Sequence, residues 1–231
     1  MTEVRAKKAL GQHFLTDLNI ARKIADALSG GTSEAPAAVL EVGCGMGVLT
    51  QFLLRRGDMV TWGAEIDAES VEYLHAHYPE FTPRLIGGDF LKLDLRERFP
   101  EGVRIIGNFP YNISSQIFFK VLENRDLVPE CVGMIQREVA VRIAEPPGSK
   151  EYGILSVLLQ AWYDIEYLHG ERDGLQPAPE GQERRRPPAA ECHAAAGVRR
   201  SAVHQGGESF VRTAAQDAAQ FVEGGLRGFR R

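Results

Sequence analysis

The run Val39–Gly47, V-L-E-V-G-C-G-M-G, constrains this chain more than any other stretch. Val39, Leu40 and Val42 form a short apolar run that stops at Gly43, and Gly45 and Gly47 follow at every second position. A helix-compatible run, Val48 to Arg56, begins at once. The pattern predicts strand, tight glycine loop and helix. Glycine reaches the positive φ angles such a turn needs and leaves the backbone bare to a ligand. The helix start adds unpaired N–H groups and a partial positive charge. Two readings stay open here, a nucleotide-binding loop and an ordinary tight turn. Cys44, inside the loop, reads as a small filler rather than a nucleophile.

Glu65 narrows the choice. It ends the next apolar run, Met59 to Ile66. A carboxylate at the tip of the second strand suits a ribose with both hydroxyls free. That fits NAD and S-adenosylmethionine equally well. Glu41, just before the first glycine, is not required by the dinucleotide fingerprint.

The remainder keeps a β-then-α rhythm. Asp17 to Leu28 reads as a helix capped by Asp17, with Ile20, Ile24, Ala27 and Leu28 on one face. Ala68 to Tyr78 is the next helix after the second strand. A short strand Arg84–Ile86 leads to Gly88-Asp89-Phe90, and an apolar strand Val103–Ile106 leads to Gly107-Asn108-Phe109-Pro110-Tyr111-Asn112. Helix Ser114–Leu122, strand Val132–Ile135, helix Glu138–Ala144, helix Tyr152–Ala161 and strand Tyr163–Leu168 follow. This alternation predicts an α/β fold: an open, mostly parallel sheet with helices on both faces. Ligands of such sheets sit beyond the carboxyl ends of the strands. Glu65, Asp89 and Asn108 each fall at a different strand end.

Asn108-Phe109-Pro110-Tyr111 suggests a chemistry. An exocyclic amine on a planar base is a poor nucleophile, because its lone pair is delocalised into the ring. The Asn108 side-chain oxygen and a main-chain carbonyl beside Pro110 can accept its two hydrogens, leaving the lone pair aimed at a methyl donor. Tyr111 and Phe109 can stack on the extruded base. A sulfonium is already a strong methyl donor, so the demand on the protein is alignment, with reacting atoms about 3 Å apart. The bland alternative is a strand-to-helix turn with Asn108 as cap.

Four blocks, K-A-L-G-Q-H-F-L, L-E-V-G-C-G-M-G-V-L-T, G-A-E-I-D with G-G-D-F, and N-F-P-Y-N-I-S-S, together resemble the rRNA adenine dimethyltransferases of the KsgA type. The resemblance runs over residues 7–168. It implies a Rossmann-like S-adenosylmethionine-dependent methyltransferase fold and S-adenosylmethionine as cofactor. The implied activity is dimethylation of the exocyclic amines of two adjacent adenines in a 3′-end hairpin loop of small-subunit (16S) rRNA. Position by position it implies that Gly43, with Gly45, lies against the donor, Glu65 holds its ribose, Asp89 bonds its adenine amine and Phe90 packs on that ring. Asn108 would sit between donor and target, with Pro110 and Tyr111 completing the catalytic turn. The lead-in, residues 1–16, would fold over the donor through His13 and Leu15. The family usually has Asn at the position of His13, and Leu or Ile at that of Phe109. The implied partner is small-subunit rRNA within an immature subunit, met by a cytoplasmic monomer.

Composition matters at two points. Residues 1–168 carry 17 Lys+Arg against 23 Asp+Glu, a net −6, whereas a nucleic-acid enzyme usually presents a basic face. No apolar run reaches the ~18 residues of a membrane helix, and no signal peptide is evident. The three cysteines lack metal spacing, so neither a metal site nor a disulfide framework is expected.

Residues 169–231 differ from the rest. These 63 residues contain no Lys, Ile, Tyr, Asn, Met or Trp, and Ile, Leu, Val and Phe together number nine. That is too little for a core. Back-translating His169–Arg186 and shifting by one nucleotide permits T-V-S-E-T-V-F-N-P-P-P-K-V-K-S-A-V. The same shift of Val211–Val222 permits F-G-Q-R-R-K-T-L-R-N-S-L. Both resemble the family's continuation. The chain is therefore expected to divide into the lead-in, a methyltransferase domain over 17–168, and an out-of-frame tail over 169–231, disordered or non-native. The family's small C-terminal helical domain would be missing or scrambled. The last sheet strand would be absent, the sheet edge exposed, and activity impaired.

Two further readings are carried. A large-subunit rRNA adenine methylase of the antibiotic-resistance type shares the N-x-P-Y pattern. A non-catalytic assembly or transcription factor on the same fold would keep its phenotype when Asn108 is replaced. An NAD dehydrogenase leaves Asn108–Tyr111 without a role.

Overall fold

The computed structural model describes Leu15 and residues 17–147, 149, 152–168 and 193–200. Its centre is a seven-stranded sheet: β1 (Ala37–Val42), β2 (Met59–Glu65), β3 (Leu85–Gly87), β4 (Arg104–Asn108), β5 (Glu130–Gln136), β6 (Tyr163–Leu168) and β7 (His193–Arg200). The spatial order is β3-β2-β1-β4-β5-β7-β6. The first five pair in parallel, and β7 runs antiparallel to both β5 and β6.

Helices cover both faces, and the split follows the two-residue period of the strands. Leu40, Val42, Ile105, Cys131 and Ile135 face one core, shared with Ile117, Phe118 and Val121 of α5 (Ser114–Glu123), Ala140 and Ile143 of α6 (Arg137–Ala144), and Leu155 and Leu159 of α7 (Ile154–Gln160). Val39, Ile106, Val132 and Met134 face the other, with Ala21, Ile24 and Ala25 of α1 (Leu18–Ala27) and Leu53 of α2 (Thr50–Leu53). Asp17 caps α1 as expected, its Oδ1 accepting from the amides of Asn19 (2.8 Å) and Ile20 (3.3 Å). Arg56 ties the end of α1 to the start of β2: it donates to the carbonyls of Ala25 (2.7 Å) and Leu28 (2.8 Å) and pairs with Asp58.

Two expectations need correction. The helix after the glycine loop does not run from Val48 to Arg56. It is only α2, because the loop keeps turning through Gly47 at φ +77° and Leu49 offers no side-chain cap. A helix this short carries little dipole, so the anion-attracting helix start is lost as an argument.

The second correction concerns the tail. Its strand is not absent: His193–Arg200 forms β7 and fills the position between β5 and β6. Sheet pairing is made by backbone groups, so H-A-A-A-G-V-R-R can complete a ladder despite its poor strand propensity. The region expected to hold a C-terminal helical domain lies outside the described residues.

Candidate active site

The order of the sheet sets the site. The chain runs outward from β1 to β2 and β3, then returns to place β4 on the other side of β1. That reversal opens a crevice at the carboxyl ends of β1 and β4. Glu41 is level with Ile106, so the Gly43 loop leaves the sheet beside Asn108. Glu65 is level with Gly87, so it stands beside the turn carrying Gly88 and Asp89.

One cleft collects these strand ends. Gly43, Gly45, Glu65, Asp89, Phe90, Asn108 and Pro110 line it, together with Val42, Ala64, Ile66, Gly88, Phe109 and Ile113. Gly43 sits at φ +75°, and a Cβ there would stand 3.7 Å from the Asn108 carbonyl oxygen and 4.0 Å from Pro110 Cδ. The bare loop therefore faces the Asn108 turn across a narrow gap.

Glu65 is buried, and its two oxygens organise the floor. Oε2 accepts from the Gly45 amide and Oε1 from the Asp67 amide, each at 2.8 Å. Burial raises its pKa, and these two amides pull it back. Each carboxylate oxygen keeps a second lone pair for a hydroxyl. Asp89 caps the 3₁₀ turn Phe90–Lys92, its Oδ1 accepting from the Leu91 amide at 2.9 Å.

Glu41 lies beneath the loop, 1% exposed, and accepts a 2.7 Å bond from the Thr50 hydroxyl. Burial, with Glu65 nearby, pushes its pKa up to about 8 against the pull of Thr50. Cys44 is buried, and burial drives its thiol pKa well up, so it is a filler rather than a nucleophile.

Several expected residues fall elsewhere. His13 lies outside the described residues. Leu15 is 8% exposed and belongs to the α1-side core with Ala21 and Ile24, so it is not part of the cleft lining. Tyr111 is half-buried beside the cleft, and its carbonyl accepts from the Ser114 hydroxyl at 3.3 Å. Phe109 cannot stack on a base. Its ring is 1% exposed, meets Phe118 edge-on at 6.0 Å, and lies against Gly107 and Gly133. Just beyond the end of β4, that side chain packs into the core and forms part of the cleft wall from beneath.

Ile66 was missed by sequence reasoning. It is 55% exposed and lines the cleft directly after Glu65. An exposed isoleucine at the end of an apolar strand was the available signal. Among the described residues no His, Cys, Asp and Glu cluster could hold a metal, and no helix is long and apolar enough to cross a membrane.

The comparisons agree with this geometry. Residues 3–180 match the family model for ribosomal RNA adenine dimethylase. Over 170 residues the chain is 61% identical to ribosomal RNA small subunit methyltransferase A of Porphyromonas gingivalis, covering 73% of this chain and 64% of that protein. The namesake of Parabacteroides distasonis is also 61% identical, over 168 residues, 73% of this chain and 62% of that one. The match thus spans just under two thirds of the length of these relatives.

Among solved structures, a dimethyladenosine transferase from Plasmodium falciparum aligns with a TM-score of 0.62 at 25% identity, over 82% of this chain and 64% of that one. The 23S rRNA methyltransferase ErmE aligns with a TM-score of 0.62 at 25% identity, over 82% and 70%. The sheet is that of the Rossmann-like methyltransferases, and the strand ends that line its cleft carry the motifs of one lineage among them. The chain belongs to the ribosomal RNA adenine dimethylase family.

Proposed function

We propose that the cleft binds S-adenosylmethionine and that the activity is methylation of the exocyclic amines of two adjacent adenines in a 3′-end hairpin loop of small-subunit rRNA. The observation that carries this is the meeting of the Gly43 loop, Glu65, the Asp89-Phe90 turn and the Asn108-Pro110 turn in one cleft. The residues present fit such a donor. Gly43 leaves room for a ligand between two turns, Glu65 offers acceptors to ribose hydroxyls, and Ile66 and Phe90 offer apolar walls to a ring.

When bound, the sulfonium supplies an activated methyl group. The protein's own part is to orient and to exclude water. Asn108 Oδ1 accepts one hydrogen of the target amine and a carbonyl beside Pro110 accepts the other, which restores the nitrogen lone pair. Tyr111, half-buried and next to Pro110 in the chain, is the aromatic assigned to the base in this proposal, since the Phe109 ring is buried. Small-subunit rRNA is favoured over large-subunit rRNA because the relatives at 61% identity carry the small-subunit name, whereas ErmE stands at 25%. An immature subunit as substrate, a monomeric enzyme and a cytoplasmic location complete the proposal.

The same proposal reads residues 169–231 as translated out of frame. Its support is the codon argument and the reach of the likeness, 170 residues at 61% identity in a chain of 231. Resequencing the coding DNA across the codons for Gln160–Pro188 tests it. One missing or extra nucleotide would mean that the true protein continues in the family's frame; an unchanged reading would mean that the tail is real and the chain a lesioned methyltransferase, with loss of rRNA dimethylation the expected phenotype. In the second test, small subunits lacking the modification are incubated with this 231-residue chain and labelled S-adenosylmethionine. Label on adjacent adenines, well below the rate of a full-length relative, is expected. Label elsewhere refutes the assigned substrate, and an undiminished rate refutes the impairment.

A further inference from the structure

Lys120 links the two halves of the cleft, and the chemistry above gives it no role. It lies on α5, which begins immediately after the Asn108–Tyr111 turn. Its ammonium turns inward and donates to the carbonyls of Leu91 (2.9 Å) and Leu93 (2.6 Å). The same ammonium stands 5.4 Å from the centre of the Phe90 ring. Leu91 and Leu93 bracket the end of the 3₁₀ turn Phe90–Lys92, whose other end is capped by Asp89.

The turn's own bonds use the carbonyls of Asp89 and Phe90, which accept from Lys92 (3.0 Å) and Leu93 (3.1 Å). The carbonyls of Leu91 and Leu93 lie outside these bonds, and the Lys120 ammonium supplies their donor. Burial of a lysine amine is unfavourable, and here it lowers the pKa of Lys120 against the pull of Glu123, Asp89 and Asp94. A solvent-exposed lysine would carry no such cost. Lys92, one turn away on the other side, shows the contrast: it is 85% exposed and reaches Asp89 only at 4.0 Å.

We propose that Lys120 is a positioning residue: by holding the Leu91 and Leu93 carbonyls it sets Asp89 and Phe90 at the height where they read the donor's adenine, and it keys that height to the helix that carries the target-base turn. The inference rests on the reading that the cleft takes an adenosyl donor. It assigns the selectivity of Asp89 for a 6-amino group to a residue that touches no ligand. In Lys120→Met the two carbonyls lose their donor, and the turn that carries Asp89 and Phe90 is no longer tied to α5.

The test compares two ligands on the full 231-residue chain by titration calorimetry. S-adenosylhomocysteine carries the 6-amino group, and S-inosylhomocysteine carries a 6-oxo group that would face the Asp89 carboxylate. The parent is expected to prefer the adenosyl ligand by about tenfold or more, the range of one hydrogen bond to a charged group. Lys120→Met is expected to reduce that preference to near unity, and Lys120→Arg to restore part of it. A merely structural role would lower the melting temperature and weaken both ligands alike, leaving their ratio unchanged.

A full preference kept in Lys120→Met overturns the proposal. Should Lys120→Met not fold, Lys120→Gln, which keeps one donor, is read for the same ratio. A parent that binds both ligands without preference overturns the role of Asp89 and this proposal together. A parent that binds neither overturns the donor reading itself.

Discussion

Glu41→Gln isolates the cost of a carboxyl group sealed under the glycine loop. Glu41 is 1% exposed, and its pKa stands at about 8 instead of the ordinary 4.5. The native state therefore holds this proton where the unfolded chain releases it. Below pH ~4.5 both states are protonated and the full contribution is present. As pH rises toward ~8 the folded form loses stability relative to the unfolded one, and above that the loss levels off.

Each pH unit inside the window is worth up to about 1.4 kcal/mol, so the span from 4.5 to about 8 has a ceiling of roughly 5 kcal/mol. Against a typical total of about 5–15 kcal/mol that is a large share. Glutamine keeps an oxygen to accept from the Thr50 hydroxyl and removes the titration. The assay is urea unfolding of parent and variant at pH 5, 6, 7 and 8 at constant ionic strength. Every other titrating group is common to both, so their difference reports Glu41. The variant is expected to gain on the parent by about 1 kcal/mol per pH unit. Parallel stability curves from pH 5 to 8 would refute the reasoning.

Three other outcomes are expected. Asn108→Ala should lower kcat for rRNA methylation roughly a hundredfold, as loss of one transition-state hydrogen-bond partner does, while calorimetric affinity for S-adenosylhomocysteine changes far less. Gly133→Ala places a methyl group inside the Phe109 ring, so the melting temperature should fall by an amount corresponding to about 1–3 kcal/mol; adding Phe109→Leu should return most of it, and additive losses would count against that contact. Gly47→Ala combines a φ of +77° with a Cβ 2.5 Å from the Tyr78 ring, and should both destabilise the fold and weaken S-adenosylhomocysteine binding, read by thermal melting with and without ligand.

Much of the site was legible because it depends on local chemistry. Glycines at 43, 45 and 47 announce positive φ, and all three adopt it. Glu65, Asp89 and Asn108 each end or follow an apolar run, and in a parallel sheet such ends share one side. A motif lists residues without saying which way each side chain turns, so the packing of Phe109 on Phe118 and of Leu15 in the α1-side core was not legible. The length of α2 was misjudged because Val48–Arg56 is compatible with helix, whereas the turn geometry around Gly47 decides how much of it forms.

What the sequence determined by itself is the order of the elements and the chemistry available at their ends, since hydrophobic period, glycine placement and carboxylate position are properties of short windows. Only the tertiary structure decided which of these ends meet. The reversal between β1 and β4 opens the crevice, the pairing of β2 with β3 brings Glu65 beside Asp89, and Lys120 joins α5 to the turn that carries Phe90. It also decided that β7 comes from the compositionally alien tail, because an open backbone ladder between β5 and β6 selects for hydrogen-bonding groups, which every non-proline residue carries, and not for side chains.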